Sequence, residues 1–143
     1  MIKLFVIGNE LLADDGIAIK VIKNIENKIP SKMKIYYCGL DDMYFLENVE
    51  EYDSIILIDS TFFNIKPGTV QLFTKETLIR NNIQIPILNI IFCLYKYINL
   101  YFIGIEISSL VYSNSSSEEI NNKFDIISNE VLYNLKKIDY SII

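Results

Sequence analysis

Two hydrophobic periods alternate along this chain: short continuous apolar runs, and stripes of apolar residues spaced three and four apart. Ile2 to Ile7 is the first run, rich in β-branched and aromatic residues and closed by Gly8, and reads as a buried strand. Past Gly16 the period changes. Ala18, Val21, Ile22, Ile25 and Ile29 fall on one helical face, while Lys20, Lys23, Asn24 and Asn27 take the other. Lys34 to Gly39 reads as a second strand. A short helix is expected over Met43 to Tyr52, with Asp41 or Asp42 near its start and Met43, Phe45, Leu46 and Val49 facing inward. Ser54 to Ser60 is the clearest strand, a continuous apolar run of the kind buried on both faces, and it carries Asp59 at its end.

Pro67-Gly68 then marks a turn, and Thr69 to Thr74 alternates as an antiparallel edge strand. Lys75 to Asn82 fits neither period. Pro86 to about Ile98 reads as a helix with Pro86 in its first turn, where a missing N–H does no harm. Leu100 to Ile107 is the next strand, with Glu106 a third acidic residue near a strand terminus. Ser116 and Glu119 have the spacing of a capping box ahead of a long helix whose stripe is Ile120, Phe124, Ile127, Val131, Leu135 and Ile138. Alternation of this kind predicts an α/β fold, a three-layer αβα sandwich with a mostly parallel sheet and one antiparallel edge strand, formed by residues 1–143 as a single domain.

Composition narrows the partners. The 143 residues are 51% hydrophobic, enough for a substantial core. A net charge of −5, from 13 basic and 18 acidic residues with no basic block, argues against nucleic acid. Nothing at the amino terminus resembles a signal peptide. Pro86, Asn89, Lys96, Asn99 and Gly104 interrupt the apolar segment from Ile85 to Ile107, so a helix and a strand explain it better than a membrane span. Cys38 and Cys93 are too few for a disulfide framework, and both are expected to be buried, inert thiols. These features point to the cytoplasm, where the sequon Asn114-Ser115-Ser116 is a chance match.

Candidate chemistry concentrates in Gly8-Asn9-Glu10-Leu11-Leu12-Ala13-Asp14-Asp15-Gly16, which sets two adjacent carboxylates at the turn from strand to helix. One of them could simply cap the helix, but a cap needs only one carboxylate. In an open sheet, ligands bind beyond the carboxyl ends of the strands where the winding reverses. If the first strand lies between the second and third, Asp15 and Asp59 converge there, able to hold a metal ion or to share protons. The chain has no histidine, which excludes a Ser-His-Asp triad, a Cys-His dyad and a two-histidine zinc site. One glycine stands where a dinucleotide loop needs three. A receiver domain would use Asp14, Asp15 and Asp59 but also wants a lysine after its fifth strand, and Glu106-Ile107-Ser108 offers none.

The motif Gly8-Asn9-x-Leu11-x-x-Asp14-Asp15-Gly16 after a first strand resembles that of the hydrogenase maturation endopeptidases, which trim the carboxyl-terminal tail of the nickel-iron hydrogenase large subunit. Cys38-Gly39, Ile56-Leu57-Ile58-Asp59, Pro67-Gly68-Thr69-Val70 and Gly104-Ile105-Glu106 follow in the family's order. The resemblance implies a phosphorylase/hydrogenase-maturation-protease-like domain in which Asp15 and Asp59 are the catalytic and metal-contacting pair. It also implies a hydrogenase large subunit precursor as substrate, with the nickel supplied by that substrate. The family's third ligand, a histidine, falls at Ile83. Asn82 or Gln84 beside it, or Glu106, could offer an oxygen instead, a poor exchange for imidazole toward nickel. The alternatives are an inactive relative that binds a hydrogenase subunit or another protein, and an unrelated doubly wound protein.

Overall fold

The computed structural model describes residues 1–108 and 117–142. The apolar runs become strands and the stripes helices: β1 (Ile2–Ile7), α1 (Ile17–Ile25), β2 (Met33–Gly39), α2 (Asp42–Glu47), β3 (Ser54–Thr61), β4 (Val70–Thr74), α3 (Lys75–Arg80), α4 (Pro86–Leu94), β5 (Asn99–Glu106), α5 (Glu118–Asn122) and α6 (Phe124–Ser141). The strands form one sheet in the order β2-β1-β3-β5-β4. β1 runs parallel to β2 and β3, and β3 parallel to β5, while β4 lies antiparallel to β5 at the edge. The α/β architecture is therefore as the sequence pattern predicts, with β1 between β2 and β3.

Two cores explain why the middles of the central strands are apolar. Leu4, Val6, Ile56, Ile58, Ile103 and Ile105 pack against α1 and α6 on one face. Phe5, Ile55, Leu57, Leu100 and Phe102 pack against Phe45, Leu78, Leu88 and Ile91 on the other. A strand dry on both sides has no position left for a polar side chain until its end, so polar groups collect at the strand termini.

Several elements depart from the pattern for local reasons. α1 tightens into a 3₁₀ turn over Glu26–Lys28. The second helix is shorter than expected: Asp41 caps it by accepting from the Tyr44 N–H at 3.0 Å, and it ends at Glu47. Met43 is 63% exposed rather than inward, because the single apolar face of so short a helix is taken by Phe45 and the following Val49. The segment without a clear period becomes α3 because Thr74 and Thr77 cap each other reciprocally. α4 stops at Leu94, and extended Tyr95 sends its hydroxyl to the Val49 carbonyl at 3.2 Å. The long final helix is broken at Lys123, whose ammonium donates to the Pro67 carbonyl at 2.8 Å. Ser117 caps α5 by accepting from Ile120 N–H. The expected box partner Ser116 and the sequon Asn114-Ser115-Ser116 lie outside the described residues.

Of the two cysteines, Cys38 is buried but Cys93 is exposed, contrary to expectation, because it sits on the outer face of α4. Burial pushes the Cys38 thiol up to about 12, with Asp41 and Asp42 adding to the effect. Among the described residues no helix is long and apolar enough to cross a membrane, and the segment from Ile85 to Ile107 contributes α4 and β5.

The loop from Gly8 to Gly16 folds tightly on itself. Gly8 holds φ at +150°, and a Cβ there would stand 2.4 Å from the Asp15 carbonyl oxygen; a Cβ on Gly16 would stand 2.7 Å from Glu10 Cα. Gly8→Ala should therefore lower stability by about 2 kcal/mol or more, read as a reduced urea midpoint, since both the backbone conformation and the contact must be relieved.

Candidate functional site

Polar groups gather at the carboxyl edge of the sheet, where the chain beyond β1 and the end of β3 bring Asp15 and Asp59 to the same Ser60. Asp15 lies in a 3₁₀ turn over Ala13–Gly16 and Asp59 near the end of β3. Both are partly buried. Ser60 links them: its hydroxyl donates to Asp15 Oδ1 at 2.6 Å and its N–H to Asp59 Oδ1 at 2.7 Å. The other Asp15 oxygen accepts from the Asn9 N–H at 2.9 Å, and Asn9 Oδ1 in turn accepts from the Leu11 N–H at 3.0 Å, an Asx turn that shapes the loop.

This environment acts strongly on Asp59. Loss of water pushes the Asp59 carboxyl up to about 7, the negative charge of Asp15 pushes the same way, and the hydrogen bonds from Ser60 offset only part of it. Near neutral pH Asp59 thus exchanges a proton readily, and a cation arriving beside the carboxylates would displace that proton.

Neither aspartate of the adjacent pair caps α1, which starts behind Gly16 without a side-chain cap. Asp14 instead turns inward and is fully buried. It accepts from Ser108 N–H and Oγ, both at 3.0 Å, from Ser117 N–H at 2.6 Å and from Ser117 Oγ at 2.9 Å. Burial alone would raise its carboxyl, but the bonds from Ser117 and Ser108 outweigh that and hold it below the usual value.

The substitute ligands considered for the third place are otherwise engaged. Glu106 is buried, and its carboxylate accepts from the Thr61 hydroxyl at 2.8 Å, from the Phe63 N–H at 2.9 Å and 3.0 Å, and from the Ile65 N–H at 3.2 Å. It shapes the loop after β3 and does not join the aspartates, because those amide donors already fill its lone pairs. Gln84 Nε2 donates to Asn82 Oδ1 at 2.7 Å and Asn89 Nδ2 to Gln84 Oε1 at 3.1 Å, so these amides are turned onto one another. Ile83 packs against the core on the α2 and α4 side. Among the described residues no group of three or more histidine, cysteine or acidic side chains could hold a metal.

Sequence reading passed over Ser60 and Asn9. The signal for Ser60 was present, a hydroxyl directly after a strand-end aspartate, but which carboxylate its side chain would meet depends on β1 and β3 being neighbours. Two outcomes test this geometry. Because the folded carboxyl of Asp59 is raised, its contribution to stability is complete below the unfolded value of 3.8 and is lost as pH rises through about 7. Asp59→Asn should flatten that decline, a difference visible in urea midpoints compared at pH 5 and pH 8. Asp14→Ala should cost about 2 kcal/mol in the same measurement, since it strands partly buried N–H and hydroxyl donors of Ser108 and Ser117.

Comparison with known proteins bears out the resemblance. A family described as hydrogenase maturation protease matches residues 19–87. A Methanocaldococcus jannaschii protein described as a hydrogenase maturation protease is 30% identical over 74 residues, covering 50% of this chain and 48% of that protein. The hydrogenase expression/formation protein HupD of Bradyrhizobium diazoefficiens is 26% identical over 76 residues, covering 52% of this chain and 40% of that one. The matched segment thus spans about half the length of these relatives or less. The fold agrees over nearly the whole chain. The hydrogenase maturating endopeptidase HybD from E. coli superposes with a TM-score of 0.75 at 19% identity, over 96% of this chain and 93% of that one. The [NiFe] hydrogenase maturation protease HybD from Thermococcus kodakarensis gives 0.70 at 22%, over 92% and 97%.

Proposed function

We propose that this protein is a peptidase of the hydrogenase maturation type, removing the carboxyl-terminal tail of a nickel-iron hydrogenase large subunit once nickel is in place. The observation that carries the reading is the Asp15 and Asp59 pair joined through Ser60 at the carboxyl edge of a sheet of this fold. The nickel belongs to the substrate, where the large subunit's own ligands already hold it. The acidic pair then needs to add only one or two oxygen contacts to recognise the loaded state and align the adjoining peptide against its scissile bond. Two carboxylates without imidazole or thiolate suit hard cations better than nickel, so the pair serves as a reader of a metal held elsewhere rather than as a tight site of its own. Charge supports this reading: with no cation bound, Asp59 tends to keep its proton, and a cation approaching the pair would displace it.

A second reading, a relative that binds a hydrogenase subunit without cutting it, draws on Ile83, an apolar side chain where the family has its histidine.

Asp15→Asn and Asp59→Asn should each abolish tail removal from a nickel-loaded large subunit, scored by the mobility of the processed subunit, while circular dichroism stays native. Cleavage should be absent before nickel insertion. Intact cleavage by the double variant would rule out this mechanism, and failure of the native chain under every metal condition would favour the binding reading.

Metal affinity separates the same possibilities in the isolated protein. Calorimetric titration should show little nickel binding to the native chain. Ile83→His should add measurable affinity for nickel if that side chain faces the aspartates as the family resemblance implies.

A further inference from the structure

The outer face of α6 carries an apolar stripe that the fold does not use. Ile126, Tyr133 and Tyr140 are 60%, 67% and 79% exposed and recur at every seventh position, so they line up along one side of the helix. Their opposite numbers, Ile127, Val131, Leu135 and Ile138, already fill the core. Exposed Glu130 and Lys137 lie together on one flank of the stripe, and among the described residues neither takes part in an ion pair.

The arrangement is symmetric about Tyr133. Ile126 and Tyr140 stand equally far from it on either side, and Glu130 and Lys137 stand nearly so. We propose that this face docks a second copy of the same chain, α6 against α6 in antiparallel sense about a two-fold axis at Tyr133. Tyr133 then meets its own copy, Ile126 meets Tyr140, and Glu130 meets Lys137, the last two pairings occurring twice. Antiparallel packing brings the same flank of each helix together, which is what the pairing of Glu130 with Lys137 requires. A partner with any other charge order would leave one of the two opposed to a like charge or unpaired. The whole chain carries −5, which opposes self-association, but Lys136 and Lys137 against Glu130 leave this face free of net negative charge.

The geometry keeps the acidic site open. α6 begins beside Pro67 at the carboxyl edge of the sheet, through Lys123, and ends beside Tyr101 at the other edge, where the Tyr101 hydroxyl lies 3.3 Å from Ser141 Oγ. Antiparallel packing of two copies therefore sets the two carboxyl edges at opposite ends of the assembly. The proposal does not depend on what those edges do.

Sedimentation of the full chain from about 1 µM to about 1 mM should show a monomer converting to a dimer. Tyr133→Glu should keep it monomeric across the range. Glu130→Lys should weaken the dimer about tenfold, and adding Lys137→Glu should restore it, since the symmetric pair is then rebuilt with its signs exchanged. In a Cys93→Ser background, Tyr133→Cys should cross-link to itself under mild oxidation and Ile126→Cys should not, because only the residue on the axis faces its own copy. All these positions are exposed, so native melting temperatures are expected throughout. A chain that stays monomeric to the highest concentration, a dimer indifferent to Tyr133→Glu, a charge exchange that restores nothing, or self-cross-linking at Ile126→Cys would each overturn the proposal.

Discussion

The hydrogen bonds that Asp14 accepts from Ser108 and Ser117 hold together the end of the molecule on which everything functional depends. They join the turn after β1, Ser108 just beyond β5, and the N-cap of α5 through one buried carboxylate. A buried charge is tolerable only when its lone pairs are filled, and here backbone and hydroxyl donors from two distant segments fill them. The chain consequently meets at one point three segments that are far apart in sequence. With Asp14 fixed inward, its neighbour Asp15 must turn the other way, toward β3.

That forced division explains how two adjacent, chemically identical side chains come to differ. Asp14 is held ionised by its donors and has a structural task. Asp15 instead receives the Ser60 hydroxyl beside Asp59, whose carboxyl is raised by loss of water and by the negative charge of Asp15. Ser60 contributes two donors in two directions and so fixes the carboxylates relative to each other without neutralising either. Glu106 performs a parallel task at the end of β5, gathering the Phe63 and Ile65 amides and so tying down the loop after β3. Asp14, Asp15 and Glu106 accept hydrogen bonds from backbone amides of residues that are not their chain neighbours. Asp59 is tied instead to the N–H of its own neighbour, and it is the one whose carboxyl is pushed strongly upward by desolvation and by Asp15.

The sequence determined the architecture because hydrophobic period and strand apolarity are local signals. Continuous runs such as Ile55 to Ile58 had to be buried on both faces, and stripes such as Ile120 to Ile138 had to lie against a sheet, so the α/β class, the positions of β1, β3 and β5 and the carboxyl edge as the seat of Asp15 and Asp59 were legible in one dimension. Short elements were less so. α3 rests on a reciprocal cap between Thr74 and Thr77 that no period announces, and Met43 turned outward because a six-residue helix needs few inward residues. The fold rule and the motif singled out Asp15 and Asp59 in advance, and tertiary structure decided what Asp14 and Glu106 do instead. Nothing in the hydrophobic period distinguishes those two from Asp15. Their assignment depended on which donors from Ser108, Ser117, Thr61, Phe63 and Ile65 arrived beside them once the strands had paired, and hydrogen bonding between residues so far apart has no signature in the order of the chain.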